Sequence, residues 1–224
     1  MNVSRKDALP AAERLKISEI FYSLQGEAAT AGFPTVFVRL TGCPLRCVYC
    51  DTEYAFYGGE WMSFDAILDR VRQFGVSRVC VTGGEPLAQK NCEALLRVLC
   101  DAGFAVSLET AGTHDVSVVD ERVARVVDIK TPGSGENHRN RAENIAELRR
   151  SDLLKFVICD RTDYEWARDQ VRSRHLDRVC EVLFSPSFSQ QDPAQLAEWI
   201  LEDRLPVRMQ LQLHKQLWGE EKGR

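Results

Sequence analysis

The fold of this chain is decided by the stretch Gly42-Cys43-Pro44-Leu45-Arg46-Cys47-Val48-Tyr49-Cys50-Asp51-Thr52. Its three cysteines lie within eight residues, and no fourth cysteine or histidine is close in sequence. A structural zinc site needs four ligands, whereas three clustered thiolates suit a cubane iron–sulfur cluster that keeps one iron open. The spacing therefore indicates a reactive iron centre. A reduced cysteine cluster, or a zinc site with a distant fourth ligand, is the alternative.

A second motif supports the first. The β-branched run Arg78–Val81 leads into Val81-Thr82-Gly83-Gly84-Glu85-Pro86. Two glycines let the main chain approach another group closely, and a neighbouring carboxylate can receive an ammonium group. A lone Gly-Gly pair could mark only a turn, but this motif ends a predicted strand downstream of the cysteine loop.

Together these motifs resemble the radical S-adenosylmethionine superfamily, whose enzymes bind a [4Fe-4S] cluster through C-x3-C-x2-C. The resemblance implies that Cys43, Cys47 and Cys50 hold the cluster. It also implies that the open iron holds the methionine end of S-adenosylmethionine, whose amino group is held at Gly84 and Glu85.

Length and composition predict one compact enzyme domain over residues 1–224. With 224 residues and 44% hydrophobic content, the chain can bury a full core without disulfides. The five cysteines outside the loop fall within apolar runs, and we interpret them as small buried hydrophobes. They are Cys80, Cys92, Cys100, Cys159 and Cys180.

Several function classes are disfavoured by the charge and hydropathy patterns. Residues 1–14 are polar and charged, unlike a signal peptide, and no segment has the roughly 20 apolar residues that cross a bilayer. The net charge of −4, with signs interspersed, predicts no nucleic-acid partner. We expect a cytoplasmic enzyme that acts on a small molecule and uses neither nucleic acid nor membrane.

Strand and helix patterns alternate from about Thr35 onward. Strands are predicted over 35–40, 78–82, 104–109, 123–130, 153–158, 179–184 and 207–213. Helices are predicted over 63–75, around 95–99, over 142–150 and 164–174, and from Asp192-Pro193.

This alternation predicts a mostly parallel α/β sheet with right-handed crossovers. Candidate functional residues follow or finish predicted strands, as at the carboxyl edge of a β/α barrel. They are Cys43, the Gly83-Gly84-Glu85 loop, Glu109, Lys130 and Ser185. Periodicity also fits a flat doubly wound sheet, whereas the superfamily resemblance implies a partial, open (β/α)6-type barrel.

A longer set of segments is similar to the 7-carboxy-7-deazaguanine synthase family, and covers nearly the whole chain. The segments are Ile17–Glu27, Phe37–Cys43, Cys50-Asp51-Thr52, the Thr82–Pro86 loop, Leu108–Thr113 and Gln212–Lys215. The Gln25-Gly26-Glu27 portion is the most discriminating, because the superfamily loop alone would fit many relatives.

The resemblance implies a ring contraction. 6-Carboxy-5,6,7,8-tetrahydropterin becomes 7-carboxy-7-deazaguanine, ammonia is lost, and the product enters queuosine biosynthesis. A 5′-deoxyadenosyl radical removes hydrogen from C6 and later returns it, so S-adenosylmethionine is used catalytically. The resemblance also implies Mg²⁺ and an external one-electron reductant of flavodoxin or ferredoxin type. We further expect a homodimer.

Residue roles follow from the same resemblance. The implied cofactor-binding residues are Tyr49, Asp51, Gly84, Glu85, Lys130, Thr131 and Ser185. Thr52 is the implied magnesium ligand, which suits a hard cation. The implied substrate-binding residues are Leu24, Gln25, Gly26, Arg39, Thr82, Glu109 and His214. Residues 1–34 then form an N-terminal substrate-site segment, 35–214 the β/α core and 215–224 a C-terminal tail.

Plainer interpretations stay open. Arg39 could be a buried ion-pair partner, Glu109 a surface strand end and His214 structural. The histidines in polar surroundings, which we expect to be exposed, are His114, His138 and His175.

The chain also departs from the family pattern. It has Asp128-Ile129-Lys130 where Ser-Pro-Lys is common, and Ser185-Pro186 where Gln-Pro is common. Ala28 follows Gln-Gly-Glu where glycine is usual, and residues continue beyond His214-Lys215, where some members end with a carboxylate at the substrate.

Two other functions are alternatives. A glycyl-radical activating enzyme has similar cysteine spacing but would bind a peptide in an open groove. An iron–sulfur electron carrier or redox sensor would normally seal its cluster with four protein ligands.

Overall fold

The computed structural model describes residues 13–219, 221 and 223. In this part of the chain, nine strands form one open sheet. They are β1 (Arg14–Leu24), β2 (Pro34–Leu40), β3 (Glu60–Ser63), β4 (Arg78–Gly83), β5 (Ala105–Thr110), β6 (Ala124–Ile129), β7 (Leu153–Ile158), β8 (Glu181–Pro186) and β9 (Arg208–Met209). The start of the predicted N-terminal segment and the far end of the predicted tail lie outside the described residues.

Among the described residues, α-helices separate most consecutive strands from β3 onward, but none lies between β5 and β6, and only 3-10 segments lie between β6 and β7. The α-helices are α1 (Phe64–Arg72), α2 (Cys92–Asp101), α3 (Arg161–Arg174), α4 (Leu176–Val179), α5 (Pro193–Glu202) and α6 (Leu213–Trp218). The side chains of Ser63, Asp160 and Asp192 cap α1, α3 and α5 by accepting backbone N–H groups of the first turn. No helix among the described residues has the length and hydropathy needed to cross a membrane.

The sheet runs in the order β3-β1-β2-β4-β5-β6-β7-β8-β9 and does not close. All pairs from β2 through β4 to β9 are parallel, whereas β1 pairs antiparallel with both β2 and β3. The six full parallel strands confirm the open (β/α)6 prediction. The antiparallel strands β1 and β3 were not predicted.

The two faces of the sheet differ in chemistry. Outward side chains such as Val81, Leu108 and Leu154 are fully buried in two apolar clusters with the helices. The residue that follows each of these along its strand points to the opposite, inner face, because side chains alternate along a strand. Those residues are Thr82, Glu109 and Lys155. The inner face therefore carries polar groups that a core would exclude.

Two predicted elements are shorter than expected. The predicted helix over 142–150 is a 3-10 helix, Ala142–Glu147. The buried Asn144 amide donates to the carbonyls of Gly112 and His114 and accepts from Val116 N–H, which ties this segment to a neighbouring loop. The predicted strand over 207–213 is only Arg208–Met209, because the chain then turns to bind the segment after β1.

Three smaller expectations also need adjustment. Helix α3 begins at Arg161 rather than Tyr164, and β8 begins at Glu181 because Leu176–Val179 forms a short helix. His114 is half-buried, whereas His138 and His175 are exposed as predicted. All eight cysteines are free, and Cys80, Cys92 and Cys180 are buried, while Cys100 and Cys159 are half-buried.

Candidate active site

The carboxyl ends of the parallel strands bring the candidate residues to one edge of the sheet. Arg39 on β2 pairs in register with Thr82 on β4, and Asp128 on β6 pairs with Lys155 on β7. Glu109 is the next to last residue of β5, between these two pairs of strands. One polar row thus crosses the inner face of the sheet.

The cysteine loop is held mainly by main-chain hydrogen bonds. Gly42 N–H donates to Ala55 O over 2.7 Å, and Val48 N–H donates to Ser134 O over 3.0 Å. The Arg46 guanidinium donates to the carbonyls of Cys43 and Leu45 at 2.9 and 2.6 Å. These hydrogen bonds therefore fix the shape of the loop without a bound ligand.

The three thiols of the loop line one cavity and are each half-buried. Burial raises the pKa of Cys43 and Cys50, and raises that of Cys47 to about 11 even though Lys130 lowers it. A metal centre that binds thiolates would overcome this cost.

The donor set fits an iron–sulfur cluster better than a single metal ion. Among the described residues, no three His, Cys, Asp or Glu side chains are arranged to hold one metal ion. Mononuclear zinc requires such convergence, whereas a cubane takes each thiolate on a different iron. The three loop cysteines thus suit a [4Fe-4S] cluster with one iron left for another ligand.

The Gly83-Gly84 turn packs directly against the cysteine loop. A Cβ on Gly84 would lie 2.3 Å from Gly42 O and 2.7 Å from Cys43 Cβ. Gly84 N–H donates to Leu40 O, and Glu85 N–H donates to Gly42 O over 2.9 Å. The close approach that this glycine permits is therefore to the cysteine loop itself.

Glu85 is fully buried at the end of this turn. Its carboxylate accepts from Leu87 N–H, Ala111 N–H and the Thr110 hydroxyl at 2.7–2.9 Å. Burial raises the pKa of Glu85 in spite of these hydrogen bonds. The side chain ties β4 to β5 and is absent from the lining of the thiol cavity.

The thiol cavity has a volume of about 410 Å³. Five predicted cofactor residues line it alongside the cysteines, namely Tyr49, Asp51, Gly84, Lys130 and Ser185. Lys130 pairs with Asp128 at 3.0 Å, and although burial opposes it, Asp128 raises the pKa of Lys130. Thr131 is fully buried outside the lining, where its hydroxyl is 2.9 Å from both Val157 O and Asp163 Oδ2.

A second cavity of about 260 Å³ adjoins the first. All seven predicted substrate residues line it, namely Leu24, Gln25, Gly26, Arg39, Thr82, Glu109 and His214. The structure thus gathers residues from β1, β2, β4, β5 and the C-terminal segment around one space.

Glu109 is fixed inside this second cavity. Gln25 Nε2 donates to Glu109 Oε1 over 3.2 Å, and the Thr82 hydroxyl donates to Oε2 over 2.9 Å. Glu109 is therefore not a solvated strand end. Its half-exposed carboxylate faces the cavity with both oxygens already oriented.

Arg39 is both an ion-pair partner and a residue of the substrate cavity. Its Nε donates to Glu19 Oε1 over 2.7 Å, and the Tyr54 hydroxyl donates to the same oxygen. Within the described residues, neither terminal nitrogen of Arg39 has a hydrogen bond. The ion pair orients the guanidinium, and its two terminal nitrogens stay available to the cavity.

The C-terminal segment covers the second cavity. Leu213 N–H donates to Gly26 O over 2.9 Å, and a Cβ on Gly26 would lie 2.0 Å from His214 Nδ1. Burial lowers the pKa of His214, so the ring is neutral near pH 7. His214 is thus both a cavity residue and a packing partner of the segment after β1.

Lys215 joins the C-terminal segment to the cysteine loop, a contact that sequence reasoning missed. Its Nζ lies 2.6 Å from Asp51 Oδ2. Burial alone would raise the pKa of Asp51, but Lys215 and the Thr52 hydroxyl lower it to about 2. Lys215 directly follows His214 in the Gln212–Lys215 segment, and that lysine is the signal that could have indicated this contact.

Glu27 and Lys155 are the other site residues that were missed. They form an ion pair, and both line the two cavities. Gln212 Nε2 donates to Glu27 Oε1 over 2.6 Å. Lys155 lies within an apolar strand, so only its inward register position distinguishes it in sequence.

Comparisons with known proteins agree with this geometry. Residues 37–132 match the model of the radical SAM superfamily. The chain is 48% identical over 208 residues to a 7-carboxy-7-deazaguanine synthase of Chlorobaculum tepidum, covering 92% of this chain and 94% of that protein. A synthase of the same name from Koribacter versatilis is 42% identical over 92% of this chain and 98% of its own length.

A solved structure shares the fold. The crystal structure of QueE from Escherichia coli superposes with a TM-score of 0.74 at 23% identity, over 90% of this chain and 95% of that one. At this identity the likeness supports the architecture alone.

Proposed function

Since this chain belongs to the 7-carboxy-7-deazaguanine synthases of the radical SAM superfamily, we propose that its two adjoining cavities carry out that family's ring contraction. The substrate is 6-carboxy-5,6,7,8-tetrahydropterin, and the products are 7-carboxy-7-deazaguanine and ammonia, on the route to queuosine. The observation that carries this proposal is the direct junction between the thiol cavity and the cavity around Glu109.

The thiol cavity is assigned to the cofactors. Cys43, Cys47 and Cys50 hold the [4Fe-4S] cluster, which with S-adenosylmethionine supplies the radical chemistry at C6 of the pterin. Tyr49, Asp51, Gly84, Lys130 and Ser185 line the remainder of this space. The protein's share is orientation and exclusion of competing reactions.

Glu85 and Thr131 are assigned indirect roles on this side. Both lie outside the cavity lining. The buried Glu85 carboxylate forms no salt bridge with any described residue, so its charge favours an ammonium group above the Gly83-Gly84 turn. Thr131 holds the chain that carries Lys130.

The second cavity is assigned to the pterin. A carboxylate can pair with two donors of a 2-amino-pyrimidinone edge, and Gln25 and Thr82 hold Glu109 in the orientation for it. The terminal nitrogens of Arg39 can fork onto the substrate carboxylate. Leu24, Gly26 and His214 complete the enclosure.

Thr52 is assigned to magnesium. It lines both cavities, and its hydroxyl donates to Asp51 Oδ1 over 2.7 Å, which leaves oxygen lone pairs for a hard cation. Turnover should rise with Mg²⁺ and Thr52→Ala should weaken that dependence. An unchanged dependence in Thr52→Ala would place the ion elsewhere.

We also infer a cytoplasmic homodimer that takes electrons from a flavodoxin or ferredoxin. Eight free cysteines and a thiolate-held cluster suit a reducing compartment. In this proposal, segment 1–34 supplies substrate contacts and residues 35–214 form the β/α core. The tail starts at residue 215, within α6, and lies beside the substrate cavity.

Covering of the second cavity favours this function over a glycyl-radical activase, because a peptide substrate needs an open groove. The direct test is anaerobic incubation of reconstituted protein with S-adenosylmethionine, reductant, Mg²⁺ and the carboxypterin, followed by mass analysis. Formation of 7-carboxy-7-deazaguanine with S-adenosylmethionine conserved is expected. Stoichiometric cofactor cleavage with no change in the pterin would refute the proposal.

A further inference from the structure

Two ion pairs lie on the wall shared by the two cavities. Glu27–Lys155 is the buried pair, with side chains 11% and 10% exposed. In the Asp51–Lys215 pair, the Asp51 side chain is 44% exposed. All four residues line both cavities, so each pair adjoins the junction where a cofactor-derived radical would meet the pterin.

Stability does not explain the buried pair. Removing two charges from water costs as much as their mutual attraction returns, and apolar replacements are often neutral or stabilising. Other positions on the inner face are filled by buried apolar side chains, namely Val126, Leu153 and Leu183, so an apolar pair would also suit this face. A lysine and a glutamate 128 residues apart are held in contact here, with Gln212 fixing the glutamate.

We propose that Glu27 and Lys155 are the base and the acid that expel ammonia from the rearranged substrate. This inference rests on the proposed function. The overall reaction removes two carbon-bound hydrogens and one ring nitrogen as ammonia, and leaves a C=C bond in the new five-membered ring. Because the radical step returns the C6 hydrogen to the rearranged substrate, the elimination itself removes one carbon-bound hydrogen and one amino group.

The elimination balances on this pair alone. The C–H proton passes to a Glu27 oxygen, and the C–H electrons become the C=C bond. The C–N bond breaks with its electrons on nitrogen, and a proton from Lys155 Nζ completes ammonia. The pair is then neutral, and one proton passing from the Glu27 carboxyl to the Lys155 amine restores it, because the two groups are in contact.

The resting state of the pair suits these roles. Burial opposes both charges, but contact with Lys155 lowers the pKa of Glu27, and contact with Glu27 raises that of Lys155. Both groups are therefore charged at rest, so the carboxylate is unprotonated and the ammonium carries the proton that ammonia loss needs.

The test separates the radical step from ammonia loss. Carboxypterin with deuterium at C6 is given to the reconstituted holoenzyme. Three quantities are then measured together: the deuterium content of S-adenosylmethionine, the amount of free ammonia and the amount of product. Lys155→Arg keeps the charge but donates a proton poorly, and Glu27→Gln keeps the shape but is not a base. Both should keep deuterium transfer and lose ammonia and product formation by about 100-fold or more. An amino-bearing isomer of the substrate should accumulate.

The control is Lys90→Arg at an exposed lysine beside α2, which should leave all three measurements unchanged. If either single variant fails to fold, Glu27→Gln/Lys155→Met removes both buried charges together and should give the same split. Normal ammonia release in Lys155→Arg would overturn the acid role, and equal loss of deuterium transfer would make the pair a substrate-positioning contact instead. A wild-type protein that transfers no deuterium would overturn the proposed function as well.

Discussion

The cysteine loop and the wall around the substrate cavity are built in different ways. Main-chain hydrogen bonds and a glycine without room for a Cβ fix the loop, mostly against nearby residues and the end of β4, and once against Ser134. Side-chain contacts fix the wall, and three of them join residues 84, 128 and 185 positions apart in sequence. The cofactor side therefore depends mainly on the main chain, and the substrate side depends on side chains that the completed fold brings together.

This difference predicts two kinds of failure. Added volume or a lost thiol in the loop should remove the cluster. A lost charge on the wall should leave the cluster intact and impair only the chemistry of the substrate.

The largest effect is expected from the thiols. Cys43→Ala, Cys47→Ala and Cys50→Ala should each abolish cofactor cleavage. The cubane already has one iron without a protein ligand, and two remaining thiolates do not hold it. Iron counting and electron paramagnetic resonance of anaerobic protein measure this. Cys180→Ala, at a buried cysteine in the other half of the molecule, should keep a full cluster. A full cluster in Cys47→Ala, or stoichiometric zinc in its place, would contradict the assignment.

Gly84→Ala should give the next largest effect. Its Cβ would fall 2.3 Å from a backbone oxygen of the cysteine loop, so the loop must move. We expect a loss of about 1–3 kcal/mol in the free energy of unfolding and a much reduced iron content. Gly32→Ala is the matched control, because φ of +86° strains it but its Cβ would meet open space. Equal iron content in both variants would show that close approach to the loop is unimportant.

Local patterns in the sequence predict the parallel core. Alternating periods and helix caps such as Ser63 and Asp192 depend on neighbours in sequence, and these elements are confirmed. Strands β1 and β3 escape prediction because antiparallel pairing at the sheet edge leaves half-exposed, mixed sequences. The segment 142–150 departs from a regular helix because Asn144 bonds to a distant loop.

The candidate site follows the same division. The seven substrate residues predicted from motif resemblance all line the second cavity. Motif resemblance missed Glu27, Lys155 and Lys215, whose partners lie far away in sequence. It also could not show that Glu85 is satisfied by Leu87 and Ala111, because that depends on how β4 lies beside β5.

Glu109→Ala and Arg39→Ala test the wall directly. Each removes one charged partner from a partly buried site, which costs about 2–5 kcal/mol, or roughly 30- to several thousand-fold in substrate affinity. Both variants should keep cluster absorbance and slow, uncoupled cofactor cleavage while carboxypterin turnover falls. Loss of the cluster in either variant, or turnover near that of the wild type, would make that residue structural.

The turn after Gln25-Gly26-Glu27 links the two halves of the comparison. Ala28 has φ of +63°, a left-handed conformation that alanine rarely adopts. Gln210 holds it there, accepting from Ala28 N–H over 2.6 Å and donating to Ala28 O over 3.1 Å. A side-chain contact from the C-terminal segment thus holds the backbone of this turn in a left-handed shape.

Ala28→Gly should therefore give the smallest effect, and one of opposite sign. Relief of the left-handed strain is worth about 1–2 kcal/mol, and the greater flexibility of glycine in the unfolded chain costs about 0.4–1 kcal/mol. The free energy of unfolding should rise by up to about 1.6 kcal/mol, as measured by urea denaturation of the cluster-free protein. The neighbouring Ala29 is exposed and has no positive φ. Ala29→Gly should therefore lower the free energy of unfolding by about 0.4–1 kcal/mol. If both variants are destabilised equally, the Gln210 contact does not hold Ala28 under strain, and the shape of the turn is set by its local sequence.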